Sequence, residues 1–196
     1  MSRLVRLTYA APKFSSLFVL YCRISSASTW EQRKLGDLLK VNSGRDYKNL
    51  SAGNIPVYGT GGYMLSVNDK LSDIDAIGIG RKGTINKPQY LRAPFWTVDT
   101  LFFLTAQEDN DLFFLFYISE NITWDKYDES TGVPSLSKNT INSIPTLVPN
   151  SELEQVIIGK VFRKIDNLIA ANEQGQKQTF KITKNISSLM LMIILL

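Results

Sequence analysis

Thr131-Gly132-Val133-Pro134-Ser135-Leu136, then Ile144-Pro145-Thr146-Leu147-Val148-Pro149, then Ser151-Glu152-Leu153-Glu154-Gln155 is the run that decides the fold. Glycine and proline punctuate its first two parts, and the third opens a helix. Ser151 and Glu154 form a capping box, in which the hydroxyl accepts from the backbone at Glu154 and the carboxylate reaches back. Beyond it Ile158, Val161, Ile165 and Leu168 recur at spacings of three, four and three, and Asn172 continues the row. That is the seam of a coiled-coil-type helix. Ile157, Phe162 and Ile169 widen the apolar surface. Ile158, Val161, Phe162, Ile165, Leu168 and Ile169 are therefore the expected interface residues of a helix over residues 151–178. Packing on its own domain and pairing with a second long helix both stay open. The expected arrangement is a domain over residues 30–150 joined to that helix through a stiff, proline-bounded connector.

Upstream of this run the chain reads as strands and turns. Ile55-Pro56-Val57-Tyr58 leads into Gly59-Thr60-Gly61-Gly62, and Asp75-Ala76-Ile77-Gly78-Ile79-Gly80 is a short apolar run ended by glycine. Phe95 to Val98 and Thr100 to Thr105 are β-branched and aromatic, as buried strands require. Asp111 to Glu120 could be strand or buried helix, and its acidic start with apolar content all round favours the helix. The fold class expected is α+β: a mixed, irregular domain followed by one long helix.

The chain has 196 residues and a formal net charge of +4. Residues 1–29 are basic without an acid, whereas acids outnumber bases over residues 30–150, so the overall excess is no argument for nucleic acid by itself. Local clustering is more telling. Arg81, Lys82, Lys87 and Arg92 have no acid among them, and Lys40, Arg45 and Lys48 are interrupted only by Asp46. There is no histidine, and Cys22 is the one cysteine. Zinc sites of the Cys/His type, Ser-His-Asp and Cys-His nucleophiles and intramolecular disulfides are thereby excluded. A reducing, cytoplasmic compartment is compatible with this. Arg3 and Arg6 ahead of the apolar stretch Leu17 to Tyr21 have the outline of a secretory signal, but the run is short and Pro12 and Lys13 interrupt the approach to it. The apolar tail Leu189 to Leu196 is too short to cross a bilayer, which takes ~20 residues.

Gly78-Ile79-Gly80-Arg81-Lys82-Gly83 matches GxGxxG, yet Thr84-Ile85-Asn86-Lys87-Pro88 is poor helix material, and a dinucleotide site needs a helix there. A nucleotide-dependent enzyme would rest on that pattern alone. The better reading is a strand entering a glycine turn with Arg81 and Lys82 at its tip, either solvated or facing phosphates. Tyr47, Tyr58, Tyr63 and Tyr90, with Asn42, Asn86 and Gln89, suit stacking and base-edge contacts, though such tyrosines also finish small cores. Asp69, Asp73 and Asp75 lack calcium-loop spacing and read as a solvated turn.

Trp30-Glu31-Gln32-Arg33-Lys34-Leu35-Gly36-Asp37 resembles the opening of the target recognition domain in type I restriction–modification specificity subunits. The resemblance continues through Gly53 to Tyr58, Ile79 to Gly83, Thr97-Val98-Asp99-Thr100, Thr131 to Ser137, Ile144 to Pro149 and Glu154-Gln155, and it ends in the helix through Ile169. It covers roughly Trp30 to Gln174 and leaves out residues 1–29 and 179–196. Each motif is weak alone; their order and spacing together are specific. The resemblance implies a non-catalytic DNA-reading subunit without cofactor. Methylation subunits, which hold S-adenosylmethionine, and ATP-dependent restriction subunits would assemble on it, and its helix would set the distance between half-sites. The expected DNA-binding residues are Arg45, Tyr47, Lys48, Tyr63, Arg81, Lys82, Thr84, Asn86, Lys87 and Gln89, with double-stranded DNA as partner and no membrane. A full-length subunit usually has two recognition domains and two helices, and one of each is seen here. The expectation is a half-subunit that dimerises through its helix, or a fragment of a longer or rearranged gene. The alternative function is a DNA-silent module that only binds methylation subunits.

Overall fold

The computed structural model describes residues 29–107 and 110–194, with side chains as far as residue 178. Expectations for residues 1–28, including Cys22 and the signal-like stretch, and for the side chains of the apolar tail lie outside the described residues. The elements in chain order are β1 (Trp30–Lys34), α1 (Leu35–Leu38), β2 (Leu39–Ser43), β3 (Ala52–Gly59), β4 (Gly62–Val67), β5 (Ala76–Gly80), β6 (Gln89–Leu91), β7 (Trp96–Thr97) and β8 (Leu101–Ala106). They are followed by α2 (Leu112–Glu120), a 3-10 turn (Trp124–Tyr127), α3 (Lys138–Ser143), β9 (Pro145–Pro149) and α4 (Glu152–Ile194).

A four-stranded antiparallel sheet in the order β2-β8-β5-β6 is the centre of the domain. Successive side chains of a strand point to opposite faces, and here both faces are covered. Leu101 and Phe103 of β8 enter one core with Val57, Val67, Phe95 and Trp96. Phe102 and Leu104 enter the other with Ile77, Ile79, Leu35, Leu38, Phe114 and Ile158. This double burial explains why β5 and β8 read as near-continuous apolar runs rather than alternating ones. The first core is closed by a small sheet, β4-β3-β7, in which β3 pairs antiparallel with β4 and parallel with β7. The second is closed by α1, α2, α3 and the first turns of α4.

The connector is not a linker. Ile144–Pro149 supplies β9, which pairs antiparallel with β1 from Trp30↔Pro149 to Lys34↔Pro145. The Thr131–Leu136 stretch folds back over the domain: Gly83 N donates to Pro134 O at 2.9 Å and Leu136 N donates to Arg81 O at 3.0 Å. Backbone groups of the connector are thus spent inside the domain, because a buried amide needs a partner.

The α2 helix is the buried one expected. Asp111 caps it, accepting from Phe114 N at 2.7 Å, and it lies between the sheet and α4. The α4 helix starts as predicted, with Ser151 Oγ accepting from Glu154 N at 3.4 Å, but it continues past residue 178 to Ile194. Its seat on α2 is a notch at Gly159, where a Cβ would lie 2.6 Å from Asp111 Oδ1 and 3.0 Å from Phe114 N. Gln155, 2% exposed, accepts from Asp111 N at 3.1 Å. Phe162 packs on Tyr117 with centroids 5.1 Å apart, Arg163 lies 4.5 Å over the Phe113 ring, and Tyr117 OH donates to Asp166 Oδ2.

The six seam residues therefore divide. Ile158 and Phe162 are buried in the domain's own core and offer nothing to a second helix. Their position over α2 explains this: the seam starts inside the footprint of the domain. Val161, Leu168 and Ile169 are exposed, as is Ile157, and Ile165 is half-buried. Among the described residues no helix is long and apolar enough to cross a membrane.

Candidate nucleic-acid interface

Two concavities lie on either side of the turn that joins β7 to β8. The first, about 540 Å³, is lined by Asp46, Tyr47 and Lys48, by the β3–β4 turn from Gly59 to Met64, and by Val98, Asp99 and Thr100. Tyr63 is 62% exposed and Met64 48%. Such open aromatic and apolar surface at a turn tip is suited to stacking. Tyr58 meets Tyr63 edge-on at 6.4 Å. The charge here is mixed, with Asp46 and Asp99 beside Lys48, and the Lys48–Asp46 pair is long at 3.9 Å and exposed. Acceptors, donors and aromatic faces together can read base edges, but carboxylates do not hold phosphates.

The second concavity, about 390 Å³, is lined by Ser43, Arg81, Lys82, Phe102, Ser135, Leu136, Ser137 and Lys138. Its charged lining is cationic throughout. Lys82 and Arg81 are exposed, and Arg81 rests 5.8 Å over the Phe102 ring. The loop carrying them is held at both ends. Arg81 N and Lys82 N both donate to Thr100 O, at 2.8 and 3.3 Å, and Lys82 bridges to Ser135. Gly83 turns the chain with φ +88°, a conformation that favours glycine. Behind the loop, Asp128 accepts from Ser135 N, Ser130 N and Ser130 Oγ. The Ser135 and Ser130 backbone donors hold its carboxyl below the usual range.

The two concavities are linked through the backbone. Thr100 lines the first and its carbonyl anchors the cationic loop of the second, while the Cβ position of Gly83 is 3.8 Å from Thr60 Oγ1 on the β3–β4 turn. Three stretches far apart in the chain, around residues 47, 60 and 82, meet there.

The expected DNA-binding residues divide accordingly. Tyr47, Lys48 and Tyr63 line the first concavity, and Arg81 and Lys82 the second. Arg45 is exposed beside the first, its backbone clamped by Thr97 O and Trp96 Nε1. Thr84, Asn86 and Lys87 line neither. Asn86 Nδ2 turns to Asp125 at 3.4 Å. Gln89 lines neither concavity, and its Nε2 donates to Gly59 O at 2.9 Å and Thr60 O at 3.2 Å. Tyr90 is likewise internal, stacked on Phe113 at 4.4 Å with its hydroxyl on Asp75, and burial together with that carboxylate pushes its pKa up. Asp75 also accepts from Ala93 N, and Lys70 pairs with Asp73, so the acidic turn is committed locally. GxGxxG ends in a turn followed by β6 rather than a helix, so no helix N-terminus awaits a pyrophosphate.

Sequence reading missed Met64, Asp99, Ser43, Ser135, Ser137 and Lys138. Lys138 directly follows the Thr131–Ser137 motif, and only the long-range Lys82–Ser135 bridge sets that motif beside the cationic loop.

A family model described as the type I restriction modification DNA specificity domain matches residues 27–181. No curated protein matches the chain. Among solved structures, the type I restriction-modification S subunit from M. genitalium is similar at TM-score 0.65 and 12% identity, over 74% of this chain and 41% of that one. The HsdS subunit from Thermoanaerobacter tengcongensis gives 0.56 and 15%, over 75% and 40%. A chain from a structure describing complex assembly and conformational transition of the type I R-M system gives 0.61 and 13%, over 84% and 47%. At these identities the likeness is one of fold, and the chain spans less than half the length of each.

Proposed function

The chain belongs to the family of type I restriction modification DNA specificity domains, and from that premise we propose that it reads a DNA sequence and brings methylation subunits, and through them restriction subunits, to it. The chain itself performs no bond-making step in this reading. Methyl transfer and its S-adenosylmethionine belong to the partner, in the cytoplasm where the DNA is.

The observation that carries the reading is the pairing of the two concavities. An aromatic groove of mixed polarity lies next to a cationic one, across a single backbone turn. Phosphate contacts position a protein on a duplex, and base contacts specify where it stops. Arg81, Lys82 and Lys138 supply the first kind. Tyr47, Tyr63, Met64 and the carboxylates of Asp46 and Asp99 supply the second. The exposed stripe Ile157, Val161, Leu168 and Ile169, which begins alongside the buried Ile158 and Phe162 and runs on past them, fits a second long helix, and a second copy of the chain would give a symmetric site.

The test is selection from a pool of randomised duplexes by the full chain, alone and with a methylation subunit of a type I system. Enrichment of a defined sequence supports the reading. Retention of the methylation subunit with no duplex enriched in either arm refutes it, and the chain is then only a docking module.

A further inference from the structure

We infer that Gln89 is a positioning residue for sequence selection: its side-chain amide latches the β3–β4 turn and so presets the aromatic groove, without touching DNA. The inference rests on reading that groove as the base-reading surface.

The geometry is specific. Both hydrogens of the Gln89 amide nitrogen are taken, by Gly59 O at 2.9 Å and Thr60 O at 3.2 Å. Two carbonyl acceptors also settle which end of the amide faces them, since only the nitrogen can donate. No donor is left for a base edge. The turn that it grips is otherwise held only from within its own hairpin, by the Gly59–Gly62 and Tyr58–Tyr63 pairs and the Tyr63 hydroxyl on Ser66 Oγ, and Gln89 ties it to another sheet. Nothing lies within 4 Å of the Cβ positions of Gly61 and Gly62, and the β3–β4 register shifts between Val57 and Tyr58, just before the turn. Yet this turn carries Tyr63 and Met64, the exposed wall of the groove.

The latch itself is anchored. Gln89 sits opposite Gly78 in the β5–β6 pair. The next residue, Tyr90, is stacked on Phe113 at 4.4 Å and 11° and donates to Asp75 Oδ2 at 2.9 Å. The amide therefore ties the tip of the β3–β4 hairpin to a fixed point in the central sheet. A groove wall that must meet bases in one register gains selectivity from such preorganisation, whereas electrostatic attachment to phosphates does not need it.

The experiment compares the full-length wild type with Gln89→Met, which keeps the length and loses both donors, and Gln89→Glu, which sets a carboxylate against two carbonyls. Each is put through selection from a randomised duplex pool, and its affinity and salt slope are measured on an unselected pool. For both variants the enrichment of the preferred sequence over the pool falls about tenfold or more, the scale of a lost base-pair discrimination. Unselected affinity stays within about threefold and the salt slope is unchanged, because the phosphate contacts are elsewhere. Amide exchange at Thr60 to Tyr63 speeds up in both, while the melting transition stays cooperative. Unchanged enrichment with Gln89→Met overturns the inference, as does an equal loss of selected and unselected binding. If the wild type itself enriches no sequence, the base-reading assignment of the groove fails first and the latch falls with it.

Discussion

Neutralising the cationic concavity should change how binding depends on salt by an amount that can be worked out beforehand. Arg81, Lys82 and Lys138 line one hollow, and none of the three has an ion pair among the described residues. Each is thus available to displace one condensed counterion from a duplex. One phosphate contact contributes about −0.9 to the slope of log affinity against log salt. The triple variant Arg81→Gln, Lys82→Gln, Lys138→Gln should flatten that slope by about 2.7. Between 50 and 200 mM salt, the fold-loss of affinity should then be smaller than in the wild type by about 40-fold. Glutamine keeps much of each stem, so packing on Phe102 and the loop hydrogen bonds, all from backbone, survive. Fluorescence anisotropy on an unselected duplex, titrated at several salt concentrations, reads the slope directly. Lys70→Gln is the control, since Lys70 is already paired with Asp73 and its loss should leave the slope alone. An unchanged slope in the triple variant, or an equal change in the control, refutes the assignment of this hollow to phosphate.

Two further outcomes concern the helix. The Glu120 carboxyl is pushed up to about 6, by desolvation first and then by the Asp166 carboxylate, whose partner is the Tyr117 hydroxyl. A folded pKa above the unfolded value of 4.5 means that the folded chain holds this proton more tightly. Its contribution is complete below pH 4.5 and lost as pH rises through about 6. Because Glu120 is exposed, solvent screening reduces the effect to about 1 kcal/mol. Urea titrations should show wild type losing that much relative to Glu120→Gln between pH 4.5 and 7, and a constant difference between the two would disprove it. For the exposed stripe, Val161→Lys with Leu168→Lys should abolish any self-association seen by light scattering while leaving the melting temperature close to wild type, because neither side chain enters the core. A wild type that is monomeric at all concentrations removes the second copy as occupant.

How far these features could be read from residues alone follows from how local each one is. The start of α4 was readable because a capping box and a seam are written within a few residues of each other. The strands β5 and β8 were readable because burial on both faces leaves an uninterrupted apolar run. The role of the Thr131–Leu136 stretch was not, since its partners are Arg81 and Gly83, some fifty residues earlier, and no local pattern encodes that pairing. The same distance hid the partners of Gln89, since the carbonyls of Gly59 and Thr60 that its amide meets lie some thirty residues earlier. Ile158 and Phe162 were assigned to the right face of the helix, but periodicity says nothing of which neighbour covers a face.

The β1–β9 pair has a consequence for how such a module could be exchanged. Trp30 stands opposite Pro149, so the polypeptide comes into the reading unit and leaves it about 5 Å apart, the width of one strand spacing. Everything between behaves as a cassette closed by a clasp. A cassette with different groove walls could be spliced in at those two points and still aim the long helix the same way, provided that it kept the clasp and a first turn shaped to the Gly159 notch.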